Sequence, residues 1–214
     1  MIDLNTRLTA APVVPLVQVE DPKVAVATAK ALAAGGLSVI ELVLRTTNAL
    51  DCLEALCGLD DDLIVGAGTV LSSTQATECL DRGAAFLVSP GLDEDTVLVA
   101  KARDIPIFPG INTPTEIMRA RNLGLNVVKF FPASIAGGIP ALKAFGSVFG
   151  DMKFMPTGGV SAENLVDFLA VPSVLACGGS WLTPVAAVEN GNYNEITRLA
   201  REAVELAISV RGSK

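Results

Sequence analysis

The 214-residue chain is long enough for one domain with a large core, and half of it is apolar. It contains no run of about 18 uncharged apolar residues, so no transmembrane helix is expected. A net charge of −7, no basic stripe and a single Trp and Tyr argue against nucleic acid or an acidic membrane surface as partners.

Histidine is absent. That removes the commonest general base and every Ser–His or Cys–His pair, leaving Lys, Arg, Asp, Glu, hydroxyls and the backbone to carry any chemistry. The first residues, MIDLNTRLTAAP, include Asp3 and lack the apolar centre of a signal peptide, so none is expected, and segment 1–11 precedes the first strand. Cys52, Cys57, Cys79 and Cys177 lack metal-site spacing and read as small hydrophobes in a reducing compartment.

Short β-branched runs then alternate with Ala- and Leu-rich stretches. Strands are expected at 13–19, 38–44, 63–65, 86–88, 107–108, 127–130, 153–155 and 174–176. Helices are expected at 22–34, 49–59, 74–82, 93–103, 114–123, 139–149, 162–169 and 193–210. Asp21, Ser73 and Ser161 suit N-caps, and Gly35-Gly36, Gly83 and Gly124 suit C-terminal caps. Eight βα units predict an α/β fold, a single-domain (β/α)8 TIM barrel spanning 1–214. An open doubly wound sheet is the rival, but no Gly-x-Gly-x-x-Gly turn supports it.

Charges are embedded in two of these strands. SVIELVLR holds Glu41 and Arg45, four apart and so on one face, about 13 Å apart along an extended strand. NVVKFFPAS holds Lys129. A buried structural Glu41–Lys129 pair is one reading, yet each ion would lose several kcal/mol of hydration, and apolar residues would serve a core as well. Arg45 by itself could be a charge reaching from the strand end to solvent. The functional reading is that a lysine desolvated beside another cation loses its proton readily and attacks a ketone to form an imine. Arg45 would hold a carboxylate by a forked hydrogen bond, and Glu41 would carry protons.

MPTGGVSAEN and ACGGSW follow the seventh and eighth expected strands. Paired glycines there let backbone amides approach an anion, and Ser161 would open a helix. Ordinary turn chemistry is the plainer reading of either pair alone. The substrate this suggests has a ketone beside a carboxylate and a phosphate at its far end.

The motifs GGLSVIELVLRT, VGAGTV, FLVSPG, PGINTPTEI, KFFPA, PTGGV and GGSW, in this order over roughly 12–184, resemble the bacterial 2-keto-3-deoxy-6-phosphogluconate (KDPG) and 4-hydroxy-2-oxoglutarate aldolase family. The resemblance implies Lys129 as Schiff-base lysine and Glu41 as general acid/base. It implies Arg45 and Thr69 as binders of the pyruvyl carboxylate, Phe131 as a lining aromatic and Thr157 as a contact to sugar hydroxyls. Gly158, Gly159, Gly179 and Ser180 would bind phosphate. It also implies a cytoplasmic homotrimer of the Entner–Doudoroff pathway, with no cofactor and no metal.

The family commonly carries Glu where Ser134 stands and Pro where Thr47 stands, which bears on substrate preference. The galactonate-specific sister enzymes tend to differ at the positions of Thr157 and Ser180. Alternatives are a 4-hydroxy-2-oxoglutarate or galactonate-type aldolase using the same imine, a phosphate-binding isomerase with Glu41 as base, and a barrel that only senses a phosphorylated sugar acid.

Overall fold

In the computed structural model, residues 4–59 and 62–211 are described. The start of the expected leader segment, including Asp3, therefore lies outside the described residues, as do 212–214 of the expected domain. The fold is α/β, with a parallel sheet curled into a half-barrel. Strands β1 (Val13–Val17), β2 (Val39–Val43), β3 (Ile64–Gly68), β4 (Leu87–Val88), β5 (Ile107–Phe108) and β9 (Cys177–Gly179) form a sheet in the order β5-β4-β3-β2-β1-β9. Strands β6 (Gly110–Ile111), β7 (Val127–Phe130) and β8 (Lys153–Pro156) form a second sheet in sequence order. Every pairing is parallel. Isolated parallel bridges, Phe154 to Val174 and Thr157 to Gly178, carry β8 across to the β9 side.

Helices α2 (Pro22–Ala34), α3 (Ala49–Cys57), α4 (Ser73–Asp81), α5 (Glu94–Ala102), α6 (Pro114–Asn122), α7 (Gly138–Val148), α8 (Leu165–Leu169) and α10 (Tyr193–Arg211) fall where the sequence places helices. Asp21 caps α2 through a 2.7 Å bond from the Lys23 amide. At α4 the cap is Ser72, one residue before the expected Ser73. Gly36, Gly83 and Gly124 take positive φ just beyond three helix ends, where a side chain would be strained.

Several boundaries differ for physical reasons. The expected fifth strand is β5, and the strand pairing resumes beyond it as β6 after Pro109, which has no amide to donate; its carbonyl still accepts from the Lys129 amide at 2.9 Å. β3 runs on through Gly66–Gly68, which sequence propensity assigns to a loop. The expected last strand, 174–176, lies along β8 instead, with the Leu175 amide bonding Phe154 O at 2.9 Å, and the ladder to β1 forms at Cys177–Gly179. Two helices were not expected, α1 (Leu4–Ala10) and α9 (Val185–Glu189).

The strands alternate. Ile40, Leu42, Val128, Phe130 and Phe154 pack outward on the helices. Val14, Val39, Phe86, Phe108 and Met155 form a separate cluster with Leu8 of α1 on the other face. Helix α1 therefore seals the strands' N-terminal end, helped by Arg7, which pairs with Asp62 and donates to Ser38 Oγ at 2.9 Å. Leu8 is fully buried. Leu8→Ala should lower unfolding stability by about 2–5 kcal/mol in urea titration; a change under about 0.5 kcal/mol, the range of an ordinary surface substitution, would mean that α1 is not a plug.

Candidate active site

On β2, Val39 belongs to the inner cluster, so Glu41 two residues later points the same way. On β7, Val128 and Phe130 face the helices and Lys129 faces inward. On β8, Met155 faces inward, and Thr157 follows it on the same side. Glu41, Lys129 and Thr157 are only 3%, 2% and 5% exposed, so three polar groups stand where apolar packing would otherwise continue.

Lys129 Nζ and Glu41 Oε1 are 3.7 Å apart. Glu41 Oε1 is buried and accepts no hydrogen bond from the described residues. A pair retained for stability needs close geometry and satisfied lone pairs to offset its desolvation. This one has neither, and an unsatisfied buried group of this kind suits a site kept ready for a ligand. The Lys129 amine also lies 5.0 Å from the centre of the Phe131 ring.

Glycine makes the room. A Cβ on Gly68 would collide with Glu41 Oε1 and stand 2.6 Å from its Cδ. A Cβ on Gly178 would collide with Thr157 Oγ1 and stand 3.1 Å from its Cγ2. Gly68→Ala should therefore push the Glu41 carboxylate off its position and slow turnover about 10²-fold, the scale of an ångström's displacement of a reacting group. Steady-state rates beside a melting curve check this; wild-type turnover in a folded variant contradicts it.

Arg45 lies just beyond the strand rather than in it. β2 ends at Val43, the Arg45 amide turns back to Val43 O at 2.9 Å, and the side chain is exposed. Its Nε donates to Thr69 Oγ1 at 3.0 Å. Thr69 has φ +59°, which is uncommon for a β-branched residue and concentrates at functional sites. Arg45 and Ser180 both line a cleft of about 700 Å³, whose lining does not include Glu41 or Lys129.

The glycine turns are also partly rearranged. Gly179 lies in β9, leaving Ser180 to begin the loop. Ser161 opens no helix: α8 starts at Leu165, after Asn164. Asn164 organises the turn instead, accepting from the Ser161 amide through Oδ1 and donating to Gly159 O through Nδ2, each at 2.9 Å. Gly158 and Gly159 have φ +90° and +83°; the parallel Thr157–Gly178 bridge turns the Gly158 amide toward Gly178, while the amides of Gly159 and Ser180 donate to no acceptor among the described residues. Asn164, Gly68 and Gly178 were not singled out by sequence reasoning; only the GAG run after a strand and the doubled Gly hinted at them.

Cys57 and Cys79 lie in helices α3 and α4. Burial pushes the Cys57 thiol up to about 11 and the Cys79 thiol up to about 12. Neither supplies an appreciable thiolate near neutrality.

These features define a class: an α/β protein whose parallel strands bury an amine beside a carboxylate, with a cation and glycine turns at the strand ends. The family described as KDPG and KHG aldolase matches residues 4–199, and the chain belongs to that family. The KHG/KDPG aldolase of Escherichia coli (strain K12) is 48% identical over 198 residues, 92% of this chain and 93% of that one. The KDPG aldolase of Legionella pneumophila, solved with pyruvate captured at low pH as a covalent carbinolamine intermediate, matches with a TM-score of 0.90 at 39% identity, covering 93% of this chain and 97% of that one. The 2-keto-3-deoxy-6-phosphogluconate aldolase of Zymomonas mobilis ZM4, solved with 3-phosphoglycerate, gives 0.88 at 39% identity, covering 94% and 95%.

Proposed function

We propose that this chain is a class I aldolase that cleaves 2-dehydro-3-deoxy-6-phosphogluconate to pyruvate and glyceraldehyde 3-phosphate. The observation that carries the reading is the buried Lys129 amine 3.7 Å from a Glu41 oxygen that has no hydrogen bond among the described residues. The covalent pyruvate adduct of the Legionella relative supports the same chemistry.

Lys129 attacks C2 of the keto acid through its lone pair, and Glu41 assists loss of water from the carbinolamine. The iminium withdraws electrons from C3. Glu41, through a water, takes the C4 hydroxyl proton; the C3–C4 bond breaks, releasing the aldehyde and leaving an enamine. Glu41 returns a proton to C3, and hydrolysis frees pyruvate and the amine. Arg45 and Thr69 hold the carboxylate. Phe131 walls the site beside the amine, and Thr157 contacts a sugar hydroxyl. Gly158, Gly159, Gly179 and Ser180 hold the phosphate, which turns binding energy into orientation. No metal or organic cofactor enters the cycle.

The same reading takes the two sheets as one closed eight-stranded barrel in a single domain, working as a cytoplasmic homotrimer. The bridges Phe154–Val174 and Thr157–Gly178 and the one-residue gap at Pro109 support the closure. Among the described residues, no helix is long and apolar enough to cross a membrane.

The test is intact-mass analysis after pyruvate and borohydride, with peptide mapping of the adduct to Lys129, beside cleavage rates on the phosphogluconate substrate, its galactonate epimer and 4-hydroxy-2-oxoglutarate. No adduct would end the imine reading. A faster rate on either of the other substrates would move the assignment within the same chemistry.

A further inference from the structure

The glycine turn proposed to hold phosphate carries a side chain beside it. Gly159 has φ +83°, and a Cβ there would collide with Ser134 Oγ and Cβ and stand 3.6 Å from Ser134 Cα. The Ser134 side chain thus covers one face of Gly159. Its place is held by the backbone: the Ala133 amide donates to Thr157 O at 2.8 Å and the Ser134 amide to Gly158 O at 3.0 Å. The same stretch leads back to the reacting amine. A Cβ on Gly158 would stand 3.4 Å from the Phe131 ring and 3.3 Å from Pro132, and the Phe131 ring lies 5.0 Å from Lys129 Nζ. Ser134 is exposed, and its hydroxyl has no partner among the described residues.

We propose that Ser134 Oγ is a specificity-determining ligand that donates a hydrogen bond to the substrate's phosphoryl group. The hydroxyl stands beside Gly159, whose amide donates to no acceptor among the described residues. A neutral donor at that point extends the cradle with no repulsion toward an anion. It acts on the phosphorylated end alone, so it weights the enzyme toward phosphorylated keto acids over shorter ones that end before the turn. The kinetic part of this inference rests on the aldolase reading; the binding part does not.

The experiment compares wild type, Ser134→Ala and Ser134→Asp. Calorimetry measures the Kd for inorganic phosphate, and kinetics measure kcat/KM on 2-dehydro-3-deoxy-6-phosphogluconate and on 4-hydroxy-2-oxoglutarate. Ser134→Ala should weaken phosphate about tenfold, the scale of one hydrogen bond to a charged group, and lower the ratio of the two kcat/KM values by a similar factor. Ser134→Asp should lower both further by repulsion. An unchanged phosphate Kd, a parallel fall on both substrates, or no phosphate binding by wild type would overturn the inference. If wild type binds phosphate but cleaves neither substrate, the aldolase reading fails, and the phosphate titration alone decides Ser134.

Discussion

Lys129→Ala is expected to abolish cleavage, by about 10⁴-fold or more, the scale seen when a covalent nucleophile is removed. Pyruvate and borohydride should then add no mass to the protein. Alanine alone leaves an ambiguity, because it also strips the partner from a buried carboxylate, and breaking a buried pair costs about 3–5 kcal/mol of stability. A dead protein could simply be an unfolded one. Lys129→Arg separates the two explanations. Arginine keeps a cation beside Glu41, so a purely structural pair would be restored, but a guanidinium stays protonated and cannot serve as the nucleophile. The catalytic assignment therefore expects Lys129→Arg to melt near wild type and remain inactive and unlabelled. Recovery of cleavage in that variant, or wild-type labelling of Lys129→Ala, would return the lysine to a structural role.

That site was legible because its residues break a local rule. Lys129 sits in the strand Val127–Phe130, found where the apolar run predicts it, and a cation within such a run has few inexpensive explanations. Glu41 was legible for the same reason on β2. Arg45 was expected on the strand with Glu41, but β2 stops at Val43, so the period-2 rule does not reach it; its bond to Thr69 Oγ1 joins the two residues that the resemblance pairs.

What escaped was set by contacts distant in sequence. Gly66, Gly68 and Gly178 have poor strand propensity, yet they are in strands because Phe86, Glu41 and Thr157 occupy the space a side chain would fill. The segment 174–176 has a convincing apolar pattern but pairs with β8 rather than continuing to β1. Helix α1 is seven residues long and is held by Leu8 in the inner cluster, a tertiary reason that no local pattern carries. Asn164 closes the Gly158–Gly159 turn by two side-chain bonds, where sequence reasoning looked for a helix N-terminus at Ser161.

Glu41→Gln is expected to divide the reaction at its proton transfers. The amide has nearly the carboxylate's size, so the space made by Gly68 still accommodates it, and Lys129 can still meet the ketone of pyruvate. Borohydride should therefore trap an adduct, more slowly because water loss from the carbinolamine is unassisted. Exchange of pyruvate methyl protons with deuterated solvent, followed by NMR, requires a base to remove and return a proton at C3. That rate should fall by about 10²–10⁴-fold, the usual contribution of a positioned acid or base. Cleavage should fall at least as far, since it adds a second proton transfer at the C4 hydroxyl to the one at C3. Undiminished methyl exchange would remove Glu41 from the proton path. Loss of both trapping and exchange in a well-folded variant would point instead to a carboxylate needed mainly for attack and dehydration. Trapping preserved while exchange collapses is the pattern required of a carboxylate 3.7 Å from the amine whose Oε1 has no hydrogen bond among the described residues.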